Sequence, residues 1–171
     1  IDNENKIKEL KDSKELMLSR GDIKFKNVNF KYDNDEQNVL NNINIEVEGG
    51  YMTSLVGHSG AGKSSIMNLI PRLYDRNEGD IEIDNQSIYK LKVASLRSNI
   101  SLVTQDITLF DDTIKNNIAF GLSADQIDEK LLTQSISKAK LSSLINSLPD
   151  GVETIIGENG IRFSGGQQQR I

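Results

Sequence analysis

The strongest constraint on this chain is the run Gly57-His58-Ser59-Gly60-Ala61-Gly62-Lys63-Ser64, because it dictates a backbone geometry and a chemistry together. It matches G-x-x-x-x-G-K-S/T, and its surroundings are those such a loop needs. Met52-Thr53-Ser54-Leu55-Val56 reads as a short buried strand, and the residues from Lys63 to Ile70 read as the start of a helix. Between them, glycines permit a tight turn that aims successive amides at an anion, and the helix N-terminus adds a favourable dipole. In that geometry Lys63 acts as a point charge on the β and γ phosphates of a nucleotide, and the Ser64 hydroxyl ligates Mg²⁺. The candidate nucleotide contacts are Gly57, His58, Ser59, Gly60, Ala61, Gly62, Lys63, Ser64 and Ser65. His58, the one histidine in the chain, contributes through its backbone rather than its ring.

A phosphate loop alone leaves kinases, GTPases, helicases and transport ATPases open. A second motif narrows the choice. Near the end of the chain, Arg162-Phe163-Ser164-Gly165-Gly166-Gln167-Gln168-Gln169-Arg170 offers Ser164 as the cap of a helix that begins at two glycines. Such a helix start presents unpaired amides and a hydroxyl to an anion. This run resembles the LSGGQ signature of ATP-binding-cassette (ABC) proteins, with Phe163 in place of the usual leucine. The resemblance covers essentially the whole chain. It implies that Ser164, Gly165, Gly166 and Gln167 close over the nucleotide of a second cassette, in a head-to-tail homodimer with two shared sites.

Other positions carry the same resemblance. The segment from Gly21 to Tyr32 looks like the family's opening strand, which implies that Tyr32 stacks on adenine. Leu102-Val103-Thr104-Gln105-Asp106 looks like the segment whose glutamine reaches Mg²⁺ and the attacking water, so Gln105 joins Lys63 as a catalytic candidate and Ser64 as a metal ligand. Thr154-Ile155-Ile156-Gly157-Glu158-Asn159-Gly160 resembles a loop typical of exporters, with Asn159 where arginine is usual. Asn85 stands where the family has a turn glycine, and asparagine tolerates the left-handed backbone needed there. The blocks from Ile70 to Asp75 and from Leu109 to Ile118 look most like bacterial lipid and multidrug exporters, including lipid A flippases.

Composition agrees. The chain has 171 residues, 36% of them hydrophobic, enough for a packed core in one domain's length of polypeptide. Absence of cysteine excludes disulfides and thiolate metal sites. A net charge of −5 argues against a nucleic-acid partner, which would demand a basic surface. No run approaches the roughly 18 apolar residues of a membrane span.

The expected architecture is α/β. It comprises a P-loop cassette with a RecA-like parallel sheet core, an antiparallel β subdomain that includes Ile43-Asn44-Ile45-Glu46-Val47, and a helical subdomain over about 106–165. In that subdomain Ser123 and Gln126 have capping-box spacing, and Ile127, Leu131, Leu132, Ile136 and Ala139 line one helix face. Residues 141–148 form a further helix ended by Pro149-Asp150-Gly151. Residues 1–20 are charged in the manner of a solvated linker or surface helix, and by resemblance they are the connector from an N-terminally fused transmembrane domain. Residues 21–171 form a partial cassette. Its metal-binding aspartate, catalytic glutamate and switch histidine are expected beyond residue 171, so the 171 residues alone are expected to hydrolyse ATP poorly.

The resemblance thus implies an exporter cassette. It would bind ATP and Mg²⁺ at the cytoplasmic face of a membrane, the bacterial inner membrane by likeness, and move a lipid or hydrophobic substrate. A soluble ABC ATPase of the DNA-repair or translation type, and a non-hydrolysing regulatory cassette, are the alternatives.

Overall fold

Alternating apolar and polar side chains in the first half of the chain build an antiparallel sheet. In the computed structural model, which describes residues 7–33, 35–104, 106–157 and 163–171, the chain divides into two units, Ile1–Ser101 and Leu102–Ile171. The first holds strands β1 (Ile23–Phe30), β2 (Leu40–Val47), β3 (Glu78–Ile83) and β4 (Gln86–Ser87) in the order β2-β1-β3-β4, each pair antiparallel. Phe25 lies opposite Ile45 on one side and Ile81 on the other. A bulge then resets the alternation. Asn27 takes φ 50°, the register shifts between Phe25 and Val28, and Val28 and Phe30 remain buried although they lie an odd number of residues beyond Phe25. Gly79 faces the bulge, where a Cβ would collide with the Asn27 carbonyl oxygen, so only glycine fits.

The core against this sheet joins Phe25, Val28 and Ile81 to Ile66 and Leu69 of α1 (Lys63–Leu69) and Leu96 of α2 (Val93–Ser98). Truncating a fully buried leucine such as Leu69 to alanine costs about 2–5 kcal/mol. Asp84 and Asn85, at φ 49° and 61°, make the two-residue turn between the paired Ile83 and Gln86. Two successive left-handed residues define the type I′ hairpin turn, and Asn85 occupies it without glycine.

The parallel RecA-like sheet expected around the phosphate loop is not found. The sheet of the first unit is wholly antiparallel, and the only parallel pairing among the described residues is an isolated bridge between Lys14 and Leu91. Residues 52–56 form no strand, and Met52 and Val56 are 98% and 93% exposed. Residues 102–104 form none either. A strand exists by virtue of its ladder, and apolar composition signals only that a segment is worth burying. Among the described residues, 52–56 have apolar side chains but no neighbouring strand to accept their amides.

The second unit has its own core of Ile114, Leu132, Ile136, Leu141, Ile145 and Ile156. Two short strands, β5 (Asp112–Thr113) and β6 (Ile155–Ile156), pair antiparallel. Thr113 caps α3 (Ile114–Ile118), its hydroxyl accepting from the Asn116 amide. The capping box of Ser123 and Gln126 is present, but it caps a 3₁₀ turn at Ala124–Gln126. Helix α4 (Glu129–Lys138) starts separately, with Asp128 accepting from the Lys130 and Leu131 amides. Leu132 and Ile136 are buried, while Leu131, expected on the same face, lies about 100° around the helix from Leu132 and is 61% exposed. Helix α5 (Ser142–Asn146) follows, shorter than the expected 141–148, and Gly151, at φ 53°, opens a separate 3₁₀ turn beyond it.

Candidate functional site

The phosphate loop is exposed along residues 57–61 and leads directly into α1. Gly62 forms the hinge between them. It is left-handed at φ 80°, and a Cβ there would meet Leu40 Cδ2 at 2.5 Å, so both backbone and packing require glycine. The Ile66 amide donates to the Gly62 carbonyl at 3.0 Å, which closes the first helical turn. Gly60 is also left-handed at φ 80° but has open space around it, so there glycine serves the turn alone.

The lysine side chain folds back over this loop. Lys63 Nζ donates to the carbonyl oxygens of Gly57 at 2.9 Å and His58 at 2.7 Å, which holds the ammonium at the loop mouth. Both bonds are exposed and therefore exchange readily with water or an anion. The His58 ring turns onto its neighbour, with Nδ1 2.7 Å from the Ser59 carbonyl, so histidine chemistry is not directed into the loop. Ser64 is exposed at the first turn of α1, whereas Ser65 is buried on the opposite side.

Tyr32 reaches the same helix. Its hydroxyl lies 2.9 Å from the Ser65 hydroxyl. The ring packs edge-on against Phe30 at 4.7 Å and Tyr74 at 5.0 Å between centroids. Tyr74, half exposed beyond the end of α1, belongs to this aromatic cluster and is absent from the residues expected from sequence. The available clue was its position in the block that follows the helix. Tyr32, two residues past the end of β1, and the helix α1 that follows the phosphate loop are thus brought together in the first unit.

The glycine-rich signature lies in the second unit. Phe163 packs against that unit's core. Ser164 caps α6 (Gly165–Gln168) in a complete capping box, the Gln167 amide donating to Ser164 Oγ at 3.4 Å and the Ser164 amide to Gln167 Oε1 at 2.9 Å. Gly165 and Gly166 are exposed and helical, neither has positive φ, and a Cβ on either would touch nothing within 4 Å. Among the described residues, nothing in the fold calls for either glycine. Arg170 returns to the helix start, its Nε donating to the Gly166 carbonyl at 3.1 Å. Gly157 differs, since its φ is 115° and a Cβ there would come within 2.9 Å of Asp111 Cα, so it has no substitute. Gln105, and Glu158 to Arg162, lie outside the described residues.

No group of three or more His, Cys, Asp or Glu side chains able to hold a metal occurs among the described residues. That donor set nevertheless fits Mg²⁺ held with a nucleotide, which keeps several waters and takes phosphate oxygens with one or two protein ligands. The exposed Ser64 hydroxyl, one residue beyond Lys63, is a hard oxygen donor of that kind.

An antiparallel sheet backed by a helix with a lysine-bearing phosphate loop, followed by a serine-capped double glycine, defines an ATPase cassette. A model of the ABC transporter family matches residues 40–171, and the chain belongs to that family as an ABC-type ATPase domain. It is 46% identical over 156 residues to an ATP-dependent lipid A-core flippase of Coxiella burnetii, covering 91% of this chain and 26% of the flippase. The ABC transporter ATP-binding protein YwjA of Bacillus subtilis, itself uncharacterised, is 44% identical over 172 residues, covering 100% of this chain and 29% of that protein. Among solved structures, a bacterial Atm1-family ABC exporter with ATP bound superposes with a TM-score of 0.89 at 37% identity, covering 99% of this chain and 29% of the exporter. The chain is an ATP-binding cassette of the ABC family, similar to the cassettes of these transporters. It spans between a quarter and a third of the length of these relatives. No described helix is long and apolar enough to cross a membrane.

Proposed function

We propose that the chain is the nucleotide-driven part of an exporter for a lipid or other hydrophobic substrate, as the likeness to lipid A-core flippases suggests. ATP sits in the loop of residues 57–64, with Lys63 exchanging its two carbonyl partners for the β and γ phosphates. Tyr32 supplies the surface for adenine. Ser64 and Gln105 would hold Mg²⁺, whose charge would offset that building on the transferred phosphoryl group. Gln105 also orients water, and the buried Ser65 sets the position of the Tyr32 ring.

The observation that carries this reading is the bare surface at Gly165 and Gly166. Glycine is disfavoured in a helix relative to alanine, and at these two first-turn positions neither backbone angle nor crowding among the described residues requires it. A close-approaching partner does. The nucleotide held by a second copy provides one, with Ser164 and Gln167 beside it and each chain closing the other's site. ATP then favours the paired state, and the resulting population shift drives a membrane domain joined ahead of the cassette.

Equilibrium sedimentation with Mg²⁺-ATP tests the pairing. Nucleotide should promote dimers, Lys63→Ala should abolish both binding and pairing, and Ser164→Ala should retain binding while weakening pairing. Equal loss of nucleotide affinity in both variants rules out the proposed division of labour.

A further inference from the structure

Residues 7–22 cross the first unit in an irregular path, and they are fastened along most of its length. Near one end, Glu9 Oε1 accepts the Val93 amide at 2.7 Å, which caps α2. Lys14 bridges Leu91 through two backbone bonds, its amide donating to Lys90 O and its carbonyl accepting from the Lys92 amide. Glu15 pairs with Lys92 at 2.7 Å. The Leu16 side chain is buried in the core while its amide donates to Ser95 Oγ. The Gln86 side chain grips Met17 like a neighbouring strand, accepting from its amide at 3.0 Å and donating to its carbonyl at 2.8 Å.

The fastening culminates at Asp84. Its carboxylate accepts the amides of Ser19 at 2.7 Å, Arg20 at 3.1 Å, Gly21 at 3.0 Å and Asp22 at 3.0 Å. The Asp84 amide in turn donates to the Asp22 carbonyl. Four amides converging on one carboxylate make an anion nest, and charge-assisted bonds of this kind are the strong ones. The Ser19 amide, helped by the other three and opposed by partial desolvation, holds the carboxyl far below its ordinary range.

Helix α2 links this segment to the nucleotide end of the unit. Its Arg97 donates to the carbonyls of Pro71 and Arg72, just past the end of α1. On the same helix, Val93 and Ser95 hold Glu9 and Leu16.

We propose that residues 7–22 are a rigid strap, and that Asp84 is the positioning residue that fixes the place and angle at which any domain joined ahead of residue 7 meets the sheet. A flexible tether would absorb movement of the cassette; this strap delivers it, through α1, the carbonyls of Pro71 and Arg72, α2 and the strap itself. The rigidity stands on the contacts alone, and only its use in driving a membrane domain rests on the reading in the preceding section.

Because the chain has no cysteine, single pairs of labels can be introduced cleanly. Spin labels on Lys11→Cys and Glu46→Cys should give one narrow distance distribution by pulsed electron resonance. Asp84→Ala should broaden it to at least about twice the native width, with amide exchange at Ser19 to Asp22 rising about tenfold while β1 and β3 amides keep their protection. Asp84→Asn, which retains one acceptor oxygen, is the milder variant if Asp84→Ala disturbs the sheet, and should broaden the distribution less. A broad distribution in the native chain overturns the proposal, as does one that neither Asp84 variant changes. Lys63→Ala should leave the distances unaltered. Failure of the native chain to bind ATP with the strap distances still narrow would count against the nucleotide reading and not against the strap.

Discussion

The Tyr32 hydroxyl and the Ser65 hydroxyl lie 2.9 Å apart, so the aromatic just past β1 and the helix that follows the phosphate loop are joined by a direct hydrogen bond. Ser65 is buried, and a lost partner there leaves a polar group without water. The orientation of the ring is thereby tied to the same helix that presents Lys63 and Ser64. On the proposed reading, base and phosphate recognition are therefore coupled through these two side chains.

Tyr32→Phe keeps the ring and removes the bond. It should cost about 1 kcal/mol of stability in a urea titration and change ATP affinity less than Tyr32→Ala, which also deletes the stacking surface. Equal affinities for the two variants would show that the ring does not contact the base.

Lys63→Ala should reduce ATP affinity by at least about 100-fold in a calorimetric titration, since a charged hydrogen-bonding group is lost from the phosphates. Stability should change little. The two bonds that Lys63 makes here are exposed, and exposed contacts of this type contribute less than about 1 kcal/mol.

Gly62→Ala places a Cβ 2.5 Å from Leu40 Cδ2 on a backbone at φ 80°. The expected loss is about 2 kcal/mol or more, from strain and overpacking together, accompanied by loss of ATP binding. Gly165→Ala and Gly166→Ala should do the reverse to the fold, leaving it intact or up to roughly 1 kcal/mol more stable, while weakening ATP-dependent pairing. Thermal melts and sedimentation on the same samples separate the two effects.

Acid should act on the strap through Asp84. Folding lowers the pKa of this carboxyl, so the unfolded chain binds the proton more readily. The stabilisation is complete above the unfolded aspartate value of about 3.9 and is lost as pH falls through the lower folded-state value. Urea midpoints compared between the native chain and Asp84→Asn should therefore differ by a constant amount at mildly acidic and neutral pH, and converge only in stronger acid. A difference that already shrinks between pH values of about 6 and 5 would contradict the nest.

Local chemistry was the legible part of the sequence. The spacing of Gly57 to Ser64, the cap at Ser164, the alternation in residues 43–47 and the turn at Asp84-Asn85 each depend on neighbours along the chain, and all appear where the residues indicate. Pairing was not legible. Residues 52–56 have the composition of a buried strand, yet composition does not name the strand that would lie alongside, and they run exposed. Leu131 illustrates a smaller version of the same limit, because it flanks the stripe of Leu132 and Ile136, and periodicity alone does not say how wide the buried face is. The links from Asp84 to Ser19 and from Gln86 to Met17 join residues more than 60 positions apart, and no periodicity in a charged segment announces them.

Position 84 has little freedom to drift. Its left-handed backbone favours glycine, asparagine or aspartate, and its four amide partners favour a carboxylate on a short stem. Glycine would meet the first demand and forfeit the second, while glutamate would carry the charge one methylene further from the amides. Two unrelated requirements, one from the hairpin and one from a segment far upstream, thus intersect on a single side chain, and a lineage that replaces it must remodel both at once.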